Sequence, residues 1–233
     1  MVNTRLYQKD VAILKSYNNK MKLTICKAVR TKGIELTDKE KEKRSNNRGK
    51  INTEKLDSSL SRTKSLIFEY AMCNPWDYFI TLTLDPKKYD RFNLKAYIKD
   101  LGQFIRDYRK KYNIDFSYLI LPEEHEDGAW HVHGLIKGIP LHHLTLFTLN
   151  DKLPYKVLDS IKQGQQIYNW ASYAEKFGYC TLSQIKDSER IASYITKYIS
   201  KDLHSRRNEV NAKLFYSSRG LKKAEEIKRG HLT

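Results

Sequence analysis

The segment Trp130–Lys137 constrains the fold most, because it places histidine at alternate positions of a strand-like sequence. Alternate side chains of a β-strand lie on the same face of a sheet. His131 and His133 would therefore project from one face, while Val132 would enter the core on the other. Two imidazoles on one face have the geometry that two ligands of a single divalent ion require. The alternative is a pair of solvated histidines, or a pair satisfied inside the core.

A second strand-like segment lies just before this one and predicts an antiparallel hairpin. Residues 116–122 are rich in aromatic and aliphatic side chains, and a polar turn around Asp127 and Gly128 separates them from Trp130–Lys137. Turn residues between two strand patterns are typical of a β-hairpin. The histidine pair would therefore lie on the second arm of the hairpin.

The end of the first arm offers a third metal ligand. Two histidines leave a site that a hard cation usually completes with oxygen, and Glu123, Glu124 and His125 are the candidates. Cross-strand partners share a face, so a three-residue turn would set Glu123 opposite His131, and a two-residue turn would bring in Glu124. We select Glu123 as the third ligand, with His125 as the second choice. The alternative role of Glu123 is that of a surface carboxylate.

The rest of the pattern predicts an α+β fold, with a central antiparallel sheet of about five strands and helices packed on it. The order of elements is β-α-β-β-insert-β-α, and the insert, residues 139–164, has no clear period. A short aromatic piece at residues 167–170 and a possible helix to Phe177 follow the insert. The other predicted elements are a helix within residues 66–72, a strand over 78–84, an amphipathic helix over Leu94–Tyr112, a strand over 179–185 and a helix from Asp187 or Ser188 to about Leu203.

Positive charge is concentrated at the start of the chain. The formal net charge is +16, and residues 1–62 hold 16 Lys or Arg against 7 Asp or Glu. So large an excess of positive charge favours a polyanionic partner. The 16 tyrosines add faces on which unpaired bases can stack, so single-stranded nucleic acid is the expected partner. The alternative is a solvated basic surface without a partner.

These observations divide the chain into three parts. We predict a basic N-terminal extension over residues 1–62, a principal domain over 63–205 and a basic C-terminal tail over 206–233. Within the extension, residues 20–29 alternate as a half-buried strand does. Residues 37–50 have almost nothing to bury, so they are expected to form a solvated helix or a mobile linker.

The composition favours an intracellular protein. Cys26, Cys73 and Cys180 are odd in number and lack Cys-x-x-Cys spacing, which argues against a disulfide framework and against a zinc knuckle. No apolar run approaches the length of a membrane span, and the N-terminus lacks the apolar stretch of a signal peptide. We therefore expect a cytoplasmic protein without a membrane partner.

The last predicted helix carries a second chemical signal. Tyr194 and Tyr198 are four residues apart beside a stripe of isoleucines, and Lys197 and Lys201 each follow a tyrosine by three residues. A phenol is a poor nucleophile until a cation orients and polarises the phosphate that it attacks. Two tyrosines on one face would allow the first to hold an old DNA end while the second cuts again. The alternative is that both tyrosines only widen the apolar stripe.

Three motifs together resemble the replication initiators of the HUH endonuclease superfamily, those of rolling-circle plasmids and single-stranded DNA phages. The motifs are the strand at residues 79–84, the histidine strand with residues 122–125 upstream, and the helix with Tyr194 and Tyr198. The spacing Tyr-x-x-Lys-Tyr-x-x-Lys is similar to that of the two-tyrosine phage initiators. It is a more specific match than the histidines alone.

The resemblance implies that residues 63–205 are an HUH endonuclease domain, with a five-stranded sheet of the RNA-recognition-motif type, a Mg²⁺ or Mn²⁺ ion and nicking at a replication origin. It implies that both histidines of the pair bind the metal and that Tyr194 and Tyr198 are the nucleophiles. Lys197 and Lys201 would be assisting cations. Attack by tyrosine would leave a 5′-phosphotyrosine and a free 3′-OH, and the DNA partner would be single-stranded origin DNA.

Two other functions stay open. Single-strand transposases share this order of motifs, although the small ones usually carry one tyrosine, whereas relaxases place the tyrosine before the histidines. A non-catalytic nucleic-acid-binding module could keep the sheet and the basic surface. The sequence contains no Gly-x-x-x-x-Gly-Lys-Ser/Thr motif, so we expect a host helicase to unwind the DNA.

Overall fold

A computed structural model describes residues 6–18, 20–31, 33–45, 53–205 and 213–231. Within these ranges, the side chains of residues 43–44, 53–58 and 198–205 are not described. In chain order the elements are β1 (Tyr7–Tyr17), β2 (Lys20–Arg30), α1 (Asp38–Ser45), α2 (Thr53–Cys73), β3 (Tyr78–Thr83), α3 (Leu94–Tyr112), β4 (Ser117–Glu124), β5 (Trp130–Lys137), β6 (Leu144–Leu146), α4 (Tyr155–Lys162), β7 (Ile167–Trp170), α5 (Ala171–Lys176), β8 (Cys180–Gln184), α6 (Ser188–Ser205), β9 (Tyr216–Ser217) and β10 (Glu225–His231).

The central sheet has seven strands in the order β6-β7-β8-β3-β5-β4-β9. Every neighbouring pair in it is antiparallel. The predicted α+β architecture with a central antiparallel sheet is therefore confirmed. The prediction of about five strands corresponds to the inner set from β7 to β4. The two outer strands, β6 and β9, have only 3 and 2 residues, which is too short for an alternating pattern to reveal them.

One face of the sheet is covered by α3 and α5. The alternation of β3 turns Ile80 and Leu82 toward this face, where both are 1% exposed. Helix α3 occupies the residues that its apolar period predicts, with the Asn93 side chain accepting a hydrogen bond from the Ala96 amide at its start. Its buried stripe of Tyr97, Leu101, Ile105 and Tyr108 completes this core.

The other face is covered by α2 and α6. Ile67 of α2 and Ile195 of α6 are fully buried against Leu119 and Leu135 of the central strands. Helix α6 begins as predicted, because the Asp187 side chain accepts hydrogen bonds from the amides of residues 189 and 190. Helix α2 begins at Thr53, earlier than the helix predicted within residues 66–72, because its first turns carry little apolar periodicity. Among the helices of the described ranges, none combines the length and the apolar character needed to cross a membrane.

One backbone contact in the hairpin requires glycine. A Cβ atom on Gly134 of β5 would lie 2.5 Å from the carbonyl oxygen of Leu119 and 2.7 Å from a side-chain carbon of Ile120. Any side chain at this position would therefore push β4 and β5 apart. Gly134 keeps the two arms of the hairpin in close contact directly beside His133.

The N-terminal and C-terminal segments form a second sheet of three strands in the order β10-β1-β2. It lies against α2, where Tyr17 is buried and Lys15 forms a 2.6 Å ion pair with Glu69. Strand β2 spans the predicted strand at residues 20–29, and α1 lies in the segment predicted as a solvated helix or linker. The rest of that segment, residues 46–50, lies outside the described residues. The division of the chain at residues 62 and 205 stays a prediction.

Candidate active site

The two histidines lie at the centre of the sheet, on the face that α2 and α6 cover. Strand β5 pairs with β3 so that His131 is opposite Thr83 and His133 is opposite Thr81. Val132, between them, is fully buried on the α3 face, as the alternation predicts. His133 is only 9% exposed, so its ring is nearly enclosed by protein.

Two threonine hydroxyls hold the imidazole rings. Thr83 Oγ1 lies 3.2 Å from Nδ1 of His131, and Thr81 Oγ1 lies 3.1 Å from Nδ1 of His133. A hydrogen bond at Nδ1 fixes the orientation of a ring and leaves Nε2 as the nitrogen for a ligand. Sequence reasoning assigned no role to these threonines. Their i, i+2 spacing, which matches that of the histidines on a neighbouring strand, was the signal that could have identified them.

Glu123 lies beside the histidines because of the length of the hairpin turn. Its Cα is paired with that of His131, and the His125 amide donates to the Ala129 carbonyl to close a three-residue turn. This is the register that a three-residue turn predicts. The carboxylate oxygen Oε2 lies 2.8 Å from Nε2 of His133, and both side chains are about one-tenth exposed, 9% and 11%.

The imidazole of His131 is neutral at pH 7. Burial, followed by the neighbouring His125 and His133 rings, lowers the pKa of His131 to about 4. The ring of His125, the second choice for the third ligand, lies against the ring of His131 with 3.8 Å between centroids. A neutral imidazole is the form that binds a metal ion, because the protonated ring has no lone pair to donate.

The donor set of this cluster fits a divalent cation. Two imidazoles fixed at Nδ1 and one buried carboxylate supply nitrogen and oxygen donors of the kind that Mn²⁺ accepts. As placed, Glu123 bonds directly to His133, and in the described part of the chain no three His, Cys, Asp or Glu side chains form a ready metal group. Binding of an ion would replace the contact between Glu123 and His133.

Tyr194 of α6 lies on the same side of the sheet as the histidines. Its side chain is 43% exposed, and its ring packs edge-on against Phe79 of β3 with 5.4 Å between centroids. Phe79 in turn stacks on His133 at 6.1 Å. Tyr194 is therefore separated from the histidine cluster by one aromatic ring, and its exposure differs from that of the fully buried Ile195 beside it.

The other predicted residues of α6 are described less completely. Lys197 is exposed on the same helix. Tyr198 and Lys201 belong to the helical span, but their side chains lie outside the described residues. Among the predicted site residues, the structure thus brings together His131, His133, Glu123, His125 and Tyr194.

These features define a class of protein: an α+β fold with a central antiparallel sheet, two threonine-held histidines on one strand, and an exposed tyrosine on a helix over the same face. A family model described as replication-associated protein ORF2 matches residues 77–203, which is more than half of the chain. The chain belongs to this family of replication-associated proteins. No curated protein and no solved structure matches the chain. The matched span contains every candidate residue from Glu123 to Lys201.

Proposed function

We propose that this protein is a metal-dependent, site-specific endonuclease and strand transferase that nicks single-stranded origin DNA to initiate and terminate rolling-circle replication. The family match supports a replication initiator. The observation that carries the chemistry is the shared sheet face on which Glu123 and His133 are 2.8 Å apart and Phe79 connects His133 to Tyr194. A structural role alone gives no reason to keep three polar groups next to an exposed phenol.

In this proposal His131, His133 and Glu123 hold one Mg²⁺ or Mn²⁺ ion. The ion supplies charge that polarises the scissile phosphate and offsets the negative charge that develops on it. The histidine rings need no reorganisation for this role, because Thr81 and Thr83 already orient them through Nδ1. Glu123 needs only to release Nε2 of His133.

The hydroxyl of Tyr194 is the nucleophile for the first cut. Its oxygen attacks the phosphorus, the phenolic proton passes to water, and the bond from phosphorus to the 3′ oxygen breaks. The leaving 3′ oxygen takes the bonding electron pair and gains a proton from water, so the products are a 5′-phosphotyrosine and a free 3′-OH. The ester keeps the energy of the broken bond, and the strand can later be rejoined by the reverse attack.

Tyr198 would serve a second cut while Tyr194 still holds the first DNA end. Lys197 and Lys201, three residues after the two tyrosines, would steady the phosphate as point charges. A host helicase would supply unwinding, and the cytoplasm would be the site of action. These assignments stay predictions.

The test uses a pool of single-stranded oligonucleotides with a random internal segment and a label at the 3′ end. The 3′ label is required because the proposed ester joins the protein to the 5′ phosphate of the 3′ fragment. We expect a labelled covalent adduct on denaturing gels with Mn²⁺ and none with EDTA. No adduct from any sequence would refute the enzyme, and DNA binding without an adduct would favour a non-catalytic binding module.

A further inference from the structure

A cavity of about 780 Å³ opens on the far side of Tyr194 from the histidines. Its walls are the end of β8, the turn at residues 164–166 and the first two turns of α6, with Phe79 and Tyr194 on the side of the candidate active site. The volume falls in the range of roughly 300–1,000 Å³ typical of sites for compact organic ligands. The candidate nucleophile is therefore part of the wall of a second, separate space.

The polar lining of this cavity is unusual for its content of side-chain amides. Gln165 and Gln166 come from the turn and Gln184 from the end of β8, and all three are exposed. Each amide offers both donors and an acceptor, which is the combination present on the edges of nucleic acid bases. The hydroxyl of Tyr168 donates to Oε1 of Gln166 at 3.2 Å, which orients that amide.

Aromatic and cationic groups complete the lining. The rings of Phe79 and Tyr194 offer faces or edges for an unpaired base, and such stacking is worth roughly 1–3 kcal/mol per base. Arg190 and Lys186 lie at the exposed rim, where a guanidinium and an ammonium group would meet a phosphate backbone. Neutral amides inside and cations at the rim match the layout of a nucleotide, with its base inward and its phosphate outward.

We propose that this cavity, the amide pocket, binds one or two unpaired bases of a single DNA strand next to the cleaved phosphate and selects them by hydrogen bonds from its glutamines. The identity of the strand rests on the proposed function. The position next to the cleaved phosphate follows from Tyr194, which lines the pocket and carries the attacking oxygen. The pocket would therefore determine part of the sequence at which the protein cuts.

The first experiment measures binding without chemistry. The full chain in EDTA is mixed at limiting concentration with the random single-stranded pool, and the retained DNA is sequenced. We expect enriched bases at several positions for the unmodified protein. The double variant Gln165→Ala, Gln184→Ala should lose the preference at one or two adjacent positions and keep the rest. Gln8→Ala, Gln103→Ala, which removes two exposed glutamines elsewhere, should keep the whole pattern.

A second arm tests the rim. Arg190→Ala should weaken binding of the pool several-fold and reduce the slope of log affinity against log salt by about 0.7, the value for one phosphate contact on a single strand. Arg106→Ala, on α3 across the sheet, should leave both quantities unchanged. Thermal melting of each variant separates loss of binding from loss of folding.

The outcomes separate this proposal from the proposed function. An identical sequence pattern from the double variant, or no enriched base for the unmodified protein, would overturn the amide pocket even if covalent adducts form. Loss of preference at one or two positions would support it even if no adduct forms with Mn²⁺. In the Mn²⁺ reaction, the positions that lose preference should lie directly beside the cut.

Discussion

The two faces of β3 and β5 differ sharply although neighbouring residues of the same strands build them. On the face toward α3, Leu82 and Val132 are at most 1% exposed and contact only the apolar core. On the face toward α6, Thr81, His131 and His133 occupy the alternate positions and are connected by hydrogen bonds across strands or to neighbouring groups. The first face stabilises the sheet, and the second is arranged for chemistry.

This difference teaches that stability and chemistry are separated by a single step along the chain. A shift of register by one residue would bury the histidines and expose Val132. At Gly134 the backbones of β4 and β5 approach so closely that a Cβ atom has no room, which favours the observed register. Variants on the two faces should therefore give opposite results when activity and stability are measured separately.

The largest effect is expected on the chemical face at the tyrosines. Tyr194→Phe combined with Tyr198→Phe should reduce the covalent adduct at least about 10³-fold, because no phenolic oxygen remains to attack the phosphate. The melting temperature should change little, since the rings are kept. Tyr155→Phe is the matched control, because Tyr155 is 78% exposed on α4. Equal adduct from the double variant would refute the assignment, and the single variants identify which phenol attacks first.

Removal of either histidine should be the next largest effect. His131→Ala or His133→Ala should reduce adduct formation by about 100-fold or more, because loss of a partner that merely orients a ligand already costs about 10- to 100-fold. A titration with Mn²⁺ should move to higher concentration for each variant. His142→Ala, which removes an exposed histidine elsewhere, should follow the unmodified protein. An unchanged Mn²⁺ response in both site variants would contradict metal binding by this pair.

A smaller effect is expected when only the orienting hydroxyls are removed. Thr81→Val and Thr83→Val keep the shape of the side chain but leave Nδ1 of the paired histidine without its hydroxyl partner. Adduct formation should fall about 10-fold for each. Thr181→Val on β8, opposite Thr81 in the sheet, is the matched control and should stay near full activity. Equal losses in all three would indicate a general effect on the sheet.

The smallest effect on activity is expected on the face toward α3. Val132→Ala removes two methyl groups from a fully buried position and should lower the free energy of unfolding by about 2 kcal/mol. Chemical denaturation measures this change. Adduct formed per folded molecule should stay close to normal below the unfolding transition. A strong loss of activity without loss of stability would mean that the two faces are not separable.

Local patterns predicted the parts of the fold that local patterns control. Alternation predicted β5 and its histidines, and the apolar period predicted α3 with both of its bounds. The pairing of β1 with β10 joins segments at opposite ends of the chain, so no local pattern announces it. The third ligand depended on the turn length, which the sequence left open between Glu123 and Glu124. The amide pocket escaped prediction because its glutamines come from separate elements.

The position of the covalent bond between protein and DNA tests the central claim most directly. The adduct formed with Mn²⁺ on the random single-stranded pool is digested with nuclease and protease, and the modified peptide is sequenced by mass spectrometry. A nucleotide phosphate on the α6 peptide at Tyr194 or Tyr198 is the expected result. A phosphate on a tyrosine outside α6, or the absence of any modified peptide, would contradict the assignment of chemistry to this face of the sheet.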